Sequence, residues 1–274
     1  MHFFKAHGLG NDFIMVDESE VPDDPGWVQR LCDRHTGIGA DGVMCFQVVD
    51  GGVRMRLLNA DGSDGGISGN GVRCLAALVV DQGWQPARHT VFTPPGPRPV
   101  DVSGGEGTFH VEVDLGTPEL SSAGIPMAVA PPRERVVDFL VNVLGQQLEV
   151  TGCSMGNPHC CVFVDEPPAD DELARLGRAL EAHDLFPERT NVEFVTPRGR
   201  DRLRVRIWER GVGITQASGT GSAAATVASV LRGVVDGEVS VYCDGGVLAT
   251  SWRPGESVRQ TGEARLVYEG HWRD

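Results

Sequence analysis

The sequence predicts a strand-rich mixed α/β fold in two halves, each with a helix inside a curved sheet. Three observations carry this expectation. Short stretches of alternating polar and apolar residues recur along the chain, and two helical stretches are apolar on nearly every face. Each of those two helices is preceded by the same turn, Ser-Gly-x-Gly, in GISGNGVR at 66–73 and in ASGTGSAA at 217–224.

The alternating stretches include FFKAH at 3–7, DFIMVD at 12–17, VRMRLLN at 53–59, TFHVEVD at 108–114 and CCVFVD at 160–165. Period-two alternation rich in branched and aromatic residues is the signal of a strand. Helical periodicity is confined to WVQRLCDRH at 27–35, NGVRCLAALVVDQ at 70–82, DELARLGRALEAH at 171–183 and TGSAAATVASVLR at 220–232. The second and fourth carry Ala, Val and Leu on most faces, as a helix does when protein surrounds it, and each is expected inside a curved sheet. Between them TPELSSAGIPMAVAPPR at 117–133 has little periodicity and is read as the linker. The expected N-terminal half is 1–117, joined by a C-terminal strand at 264–274, and the expected C-terminal half is 118–263. The two matching turns lie 150 residues apart on either side of the linker, which suggests an internal duplication.

A formal charge of -14 over 274 residues repels nucleic-acid backbones and anionic membranes, so neither is expected as a partner and a small substrate is. A homodimer is left open. The stretch MHFFKAHGLGND lacks the regions of a signal peptide, and no apolar run reaches membrane-span length. Seven irregularly spaced cysteines read as reduced, buried thiols of a cytoplasmic protein, with no zinc-type spacing among them. Neither a metal nor a cofactor is expected.

A glycine-rich turn feeding a helix leaves backbone N–H groups unpaired beside the positive end of the helix dipole, so two such turns could hold one carboxylate. Neither turn has the lysine of a P-loop or the spacing of a dinucleotide fingerprint. NADGSDGGISGN at 59–70 has Asp64 and Asn70 where a calcium loop needs glycine and glutamate, and is rejected as one.

Six blocks in order carry a resemblance: KAHGLGNDF at 5–13, GIGADG at 37–42, NADGS at 59–63, SGNGVRC at 68–74, GNPH at 156–159, and WERGVG with SGTG within 208–221. Together they resemble the diaminopimelate epimerase family across nearly the whole chain. The resemblance implies the diaminopimelate epimerase-like fold, of the α+β type with two pseudo-symmetric halves, each a curved, mostly antiparallel sheet around a central helix, and an active site between the halves; it also implies a cofactor-independent isomerase that converts LL-diaminopimelate to the meso form on the way to lysine and cell-wall peptide. It also implies roles for residues. His159 and Glu209 flank the two catalytic positions, while Asn59, Asn157, Asn191 and Arg210 hold the distal amino-carboxylate end of the substrate. Asn11, and the turn residues Gly69 and Asn70 with Gly219 and Thr220, complete the expected substrate contacts.

Both catalytic positions depart from the family pattern. Ser68 and Ser218 stand where the family has cysteine, and Ile214 stands where it often has glutamate. Inverting a Cα requires a base on one face and an acid on the other. A thiol with pKa about 8.5, lowered at a helix N-terminus, can serve as either near neutral pH, whereas a hydroxyl is a far weaker acid. Ser68, Ser218, His159 and Glu209 are therefore the expected catalytic set, with the activity of the Ser/Ser form as the open question. Two alternatives keep the carboxylate cradle: an isomerase or dehydratase acting on a related carboxylate, and a non-catalytic amino-acid-binding homologue. Cys74 and Cys160 are expected to be core residues and not substitutes for the missing thiols.

Overall fold

The computed structural model describes residues 1–273 and divides into two compact units, one running from Met1 to Asp114 and resuming at Thr261, the other from Leu115 to Gln260. The last residue of the expected C-terminal strand, 274, lies outside the described residues.

In chain order the first unit contains β1 (His2–Gly8), β2 (Asn11–Asp17), α1 (Trp27–Cys32), β3 (Gly42–Val49), β4 (Gly52–Asn59), β5 (Asp64–Gly66), α2 (Gly69–Asp81), β6 (Arg88–Thr93), β7 (Gly96–Gly105) and β8 (Thr108–Asp114). The second contains β9 (Val136–Val143), β10 (Gln146–Ser154), β11 (Pro158–Phe163), α3 (Asp170–Glu181), β12 (Asn191–Pro197), β13 (Arg202–Glu209), β14 (Gly213–Thr215), α4 (Gly219–Leu231), β15 (Glu238–Cys243) and β16 (Gly246–Ser251). The long β17 (Arg259–His271) begins in the second unit and returns to the first.

Eight strands of the first unit close a ring. β1 pairs with β2, β2 with β3, β3 with β4, β4 with β6, β6 with β7 and β7 with β8, and β17 bonds both β8 and β1. All are antiparallel except β2–β3 and β4–β6 where a direction is defined, because a helix crosses over between those partners. α2 is the crossover between β4 and β6, and Asn70 through Val79 are buried without a break. That all-round burial is what a helix of Val, Cys, Leu and Ala requires. α1, between β2 and β3, lies on the other sheet face, where Trp27, Val28, Leu31 and Cys32 pack with Ile14, Val16, Val43 and Cys45.

The second unit repeats this wiring. β9–β10 and β10–β11 are antiparallel, β11–β12 parallel, β12–β13 antiparallel, β13–β15 parallel and β15–β16 antiparallel. The sequence of pairings matches β17–β1–β2–β3–β4–β6–β7. α4 is the buried helix, and α3 covers the opposite sheet face through Leu173, Leu176 and Leu180, packed with Cys160, Val162, Val192 and Phe194.

Two expectations are corrected. The 117–133 stretch is not a linker: Ile125 and Met127 join the core of the second unit, and the Ala128 N–H donates to the Leu185 carbonyl. Proline and serine interrupt regular structure there without preventing apolar side chains from packing. α1 stops at Cys32 and does not run on to His35, because Asp33 turns extended and its Oδ1 accepts from the N–H groups of His35 and Thr36.

Gly177 on α3 shows how closely that outer helix sits on its sheet. A Cβ there would lie 2.5 Å from Trp208 Cγ and 2.6 Å from Trp208 Cβ, atoms that no rotamer change can move far. Gly177→Ala is expected to destabilise the protein by about 1–3 kcal/mol, read as a lower midpoint in urea unfolding.

Candidate active site

Both Ser-Gly-x-Gly turns form helix N-caps. Ser68 is extended (φ -123, ψ 124) and its Oγ accepts from the Gly71 N–H at 3.2 Å; Ser218 is extended (φ -133, ψ 128) and its Oγ accepts from the Gly221 N–H at 3.1 Å. A serine N-cap contributes about 1 kcal/mol, and the helix-initiating N–H groups that follow it point to the positive end of the dipole. Gly69, Asn70, Gly219 and Thr220 occupy those first-turn positions.

The surroundings of the two turns differ. In the first unit Ser68 Oγ reaches Asn11 Oδ1 at 3.5 Å, and the same oxygen accepts from Asn70 Nδ2 at 3.2 Å. Asn70 Oδ1 in turn accepts from the buried Arg73 guanidinium. Asn11 Nδ2 donates to Asp41 at 2.8 Å, and Arg34 links Asp41 to Asp12, which also pairs with Lys5 at 2.6 Å. Burial opposes ionisation of Asp12, but hydrogen bonds from Arg34 and Lys5 outweigh it and bring its pKa down to about 2. Asn11 and Asn70 thus join the turn to a charged frame. Beneath the turn the neighbours are apolar: a Cβ on Gly71 would lie 2.4 Å from Met44 Cε and 3.6 Å from Phe13 Cζ. Asn59, at the end of β4, is exposed and folds the NADGS loop, donating to Ser63 Oγ at 2.9 Å.

Beneath the Ser218 turn the neighbours are ionisable. A Cβ on Gly221 would lie 2.9 Å from Glu193 Oε1. Glu193 and His159 are both 0 % exposed, with Oε1 at 2.7 Å from Nδ1, and Cys161 Sγ donates to the other carboxylate oxygen at 3.8 Å. His159 Nε2 lies 3.0 Å from Asn157 Oδ1. Burial pushes the Glu193 carboxyl above its ordinary range, and the attraction of His159 only partly offsets this. Burial also raises Glu209, at the end of β13, against the pull of His159 and a hydrogen bond from Thr215, while the charge of Glu193 raises it further. Two carboxylates and one imidazole therefore share one poorly hydrated region.

Arg210 is exposed. Its Nη1 donates to the Glu188 carbonyl at 3.0 Å, and its backbone N–H donates to Asn191 Oδ1 at 3.0 Å. Asn191 Nδ2 donates to the Pro158 carbonyl at 2.9 Å, so this buried amide ties the GNPH and WERG segments together. Glu181, the last residue of α3, fixes the same segment by accepting from Trp208 Nε1 at 2.7 Å and from the Gly211 N–H at 3.1 Å.

Of the expected residues, Asn11, Ser68, Gly69 and Asn70 gather in the first unit with Asn59 on a neighbouring loop; Asn157, His159, Asn191, Glu209, Arg210, Ser218, Gly219 and Thr220 belong to the second. Sequence reasoning missed Glu193 and Glu181. A charge at the centre of NVEFV, on an otherwise apolar strand, is a legible signal for the first. Glu181 carries none, since a charged residue at the end of an amphipathic helix reads as solvated. Ile214 packs against the core of the second unit, so that position serves packing.

All seven cysteines are free and buried. Burial raises the thiols of Cys74, to about 12, and of Cys160 and Cys161, which keeps them protonated at neutral pH. Cys243 lies 3.3 Å from Ser222 Oγ below the Ser218 turn, and its thiol is also raised by burial. Among the described residues no cluster of His, Cys, Asp and Glu has metal-site geometry, and no helix is long and apolar enough to cross a membrane.

Comparison with known proteins bears on this arrangement. The family model described as diaminopimelate epimerase matches residues 3–121 and 151–267. A diaminopimelate epimerase of Synechocystis sp. is 43% identical over 278 residues, covering 98% of each chain. Another, of Desulfitobacterium hafniense, is 40% identical, covering 98% of this chain and 97% of its own. Among solved structures, a hydroxyproline epimerase from Agrobacterium vitis with bound trans-4-hydroxy-L-proline superposes with a TM-score of 0.70 at 14% identity, over 98% of this chain and 91% of that one. That last likeness is one of fold.

Proposed function

Because the chain belongs to the diaminopimelate epimerase family, we propose that it is a cofactor-independent amino-acid epimerase converting LL- to meso-diaminopimelate, a precursor of lysine and peptidoglycan. The observation that carries this reading is the retention of two serine-capped helix N-termini together with His159 and Glu209 beside one of them. Seven free, buried thiols fit action in the reducing cytoplasm.

The reaction removes the Cα proton while the C–H electron pair stays on carbon and spreads into the carboxylate; a proton then returns to the opposite face. The helix N-termini supply N–H donors where that negative charge develops. Ser68 and Ser218 stand at the two catalytic positions of the family pattern. Neither hydroxyl is acidic enough to act alone, so His159 with Glu209 assists proton transfer in the second unit, and Ser68 is the group that exchanges a proton with the opposite face.

The test is proton NMR of LL-diaminopimelate with the purified protein in heavy water. Loss of the Cα–H signal is expected, and replacing His159 with alanine is expected to slow it by about 10²-fold or more. A non-catalytic amino-acid-binding protein is the second reading. One observation favours it: the Ser68 hydroxyl faces the amide oxygen of Asn11, which is not a base. Saturable binding of diaminopimelate with no Cα exchange would establish that alternative.

A further inference from the structure

We propose that Glu193 is a positioning residue that holds His159 with its Nδ1 protonated and its Nε2 as the nitrogen that exchanges protons, beneath the Ser218 turn of the second unit. The inference rests on the proposed epimerase reading for its catalytic meaning, but not for its geometry.

Glu193 is enclosed in protein and has both carboxylate oxygens occupied, one by His159 Nδ1 at 2.7 Å and the other by the Cys161 thiol at 3.8 Å. A carboxylate can only accept when ionised, so the short contact places a proton on Nδ1. Nε2 is then the atom free to gain or lose one. Its neighbour is Asn157, 3.0 Å away, whose amide can accept from Nε2–H or, after rotation, donate to a bare Nε2. The ring is gripped on one side and adaptable on the other.

The matching wiring of the two units supplies the control. β2 pairs with β3 so that Phe13 faces Gly42, and β11 pairs with β12 so that His159 faces Asn191. Two residues along the partner strand are Met44 in the first unit and Glu193 in the second. Phe13 and Met44 lie under Gly71 as Glu193 lies under Gly221. The first unit shows that Phe and Met can fill this space, so the fold does not demand a buried ionisable pair. Burying such a pair carries a desolvation cost that an apolar pair avoids. A chemical role explains why the second unit departs from the apolar solution.

The test is nitrogen-15 NMR of His159 in the full chain at pH 7, with Glu193→Met and Glu193→Gln. In the unaltered protein Nδ1 is expected to show a protonated, pyrrole-type resonance. In Glu193→Met, which copies the first unit, that preference is expected to be lost, and in Glu193→Gln, which keeps an acceptor oxygen, it is expected to return. Cα exchange should fall by about 10²-fold in Glu193→Met with KM little changed, and recover in part in Glu193→Gln. A pyrrole-type Nδ1 that persists in Glu193→Met would overturn the inference. If the Met variant does not fold, loss of the pyrrole-type Nδ1 resonance in Glu193→Gln, where the acceptor oxygen is kept, would overturn it equally. Absence of exchange from the unaltered protein would count against the epimerase reading alone, since the nitrogen resonances report on Glu193 without turnover.

Discussion

Replacing Ser68 and Ser218 together by cysteine will raise Cα–H exchange of diaminopimelate by about 10²-fold or more, the usual scale of general acid–base catalysis. Both serines already sit at the N-caps of buried helices, in extended conformations that a cysteine can adopt. Little backbone adjustment is needed. A thiol at such a position has its pKa pulled down from about 8.5 by the helix terminus, so it can take a proton in one state and give one in the other near neutral pH. The substitution is expected to cost about 1 kcal/mol of cap energy at each turn, because sulfur accepts the Gly71 and Gly221 N–H bonds less well than oxygen. Rate should therefore rise while the unfolding midpoint falls, and the two are measured on the same preparation by heavy-water NMR and urea titration. No gain in exchange would count against diaminopimelate as the substrate.

The two glycines that close the matching turns will respond differently to alanine. Gly221→Ala places a methyl group 2.9 Å from the Glu193 carboxylate, which can move away only by breaking its contacts with His159 and Cys161. Displacing Glu193 tilts the ring of His159, and an error of about 1 Å in a positioned group can lower the rate about 10²-fold. Gly71→Ala meets the terminal methyl of Met44 at 2.4 Å, a flexible end that can swing to another rotamer. Its expected effect is a stability loss of about 1–3 kcal/mol with exchange retained. Measuring kcat and unfolding midpoint for both variants separates the two sites. Equal losses of rate would show that the apolar and ionisable turns are catalytically equivalent.

Much of the fold was legible before any coordinates. The all-apolar faces of 70–82 and 220–232 required helices surrounded by protein, and the repeated Ser-Gly-x-Gly marked both of their starts. α2 and α4 begin at Gly69 and Gly219, directly after serine caps. The 117–133 stretch was misread because weak periodicity hides burial: Ile125 is 0 % exposed without belonging to a helix or strand. Local turn chemistry at Asp33 ended α1 earlier than its periodicity implied.

The site divides in the same way. Ser68, Ser218, His159 and Glu209 could be singled out because residue type and order are properties of the chain, and the chemistry of a hydroxyl in place of a thiol follows from them. Which partners these groups meet is another matter. His159 and Glu193 are 34 residues apart, and they touch because β11 and β12 lie parallel in register with α3 crossing between them. Asn191 and Arg210 are joined across 19 residues for a similar reason, and Glu181 reaches the same segment from the end of a helix. Local periodicity and turn chemistry act over a few residues and so can be read along the chain. Long-range pairing brings distant side chains within 3 Å, and water is removed only when the layers close. The asymmetry between an apolar floor under one turn and an ionisable floor under the other therefore emerges only on folding, where burial and strand register act together.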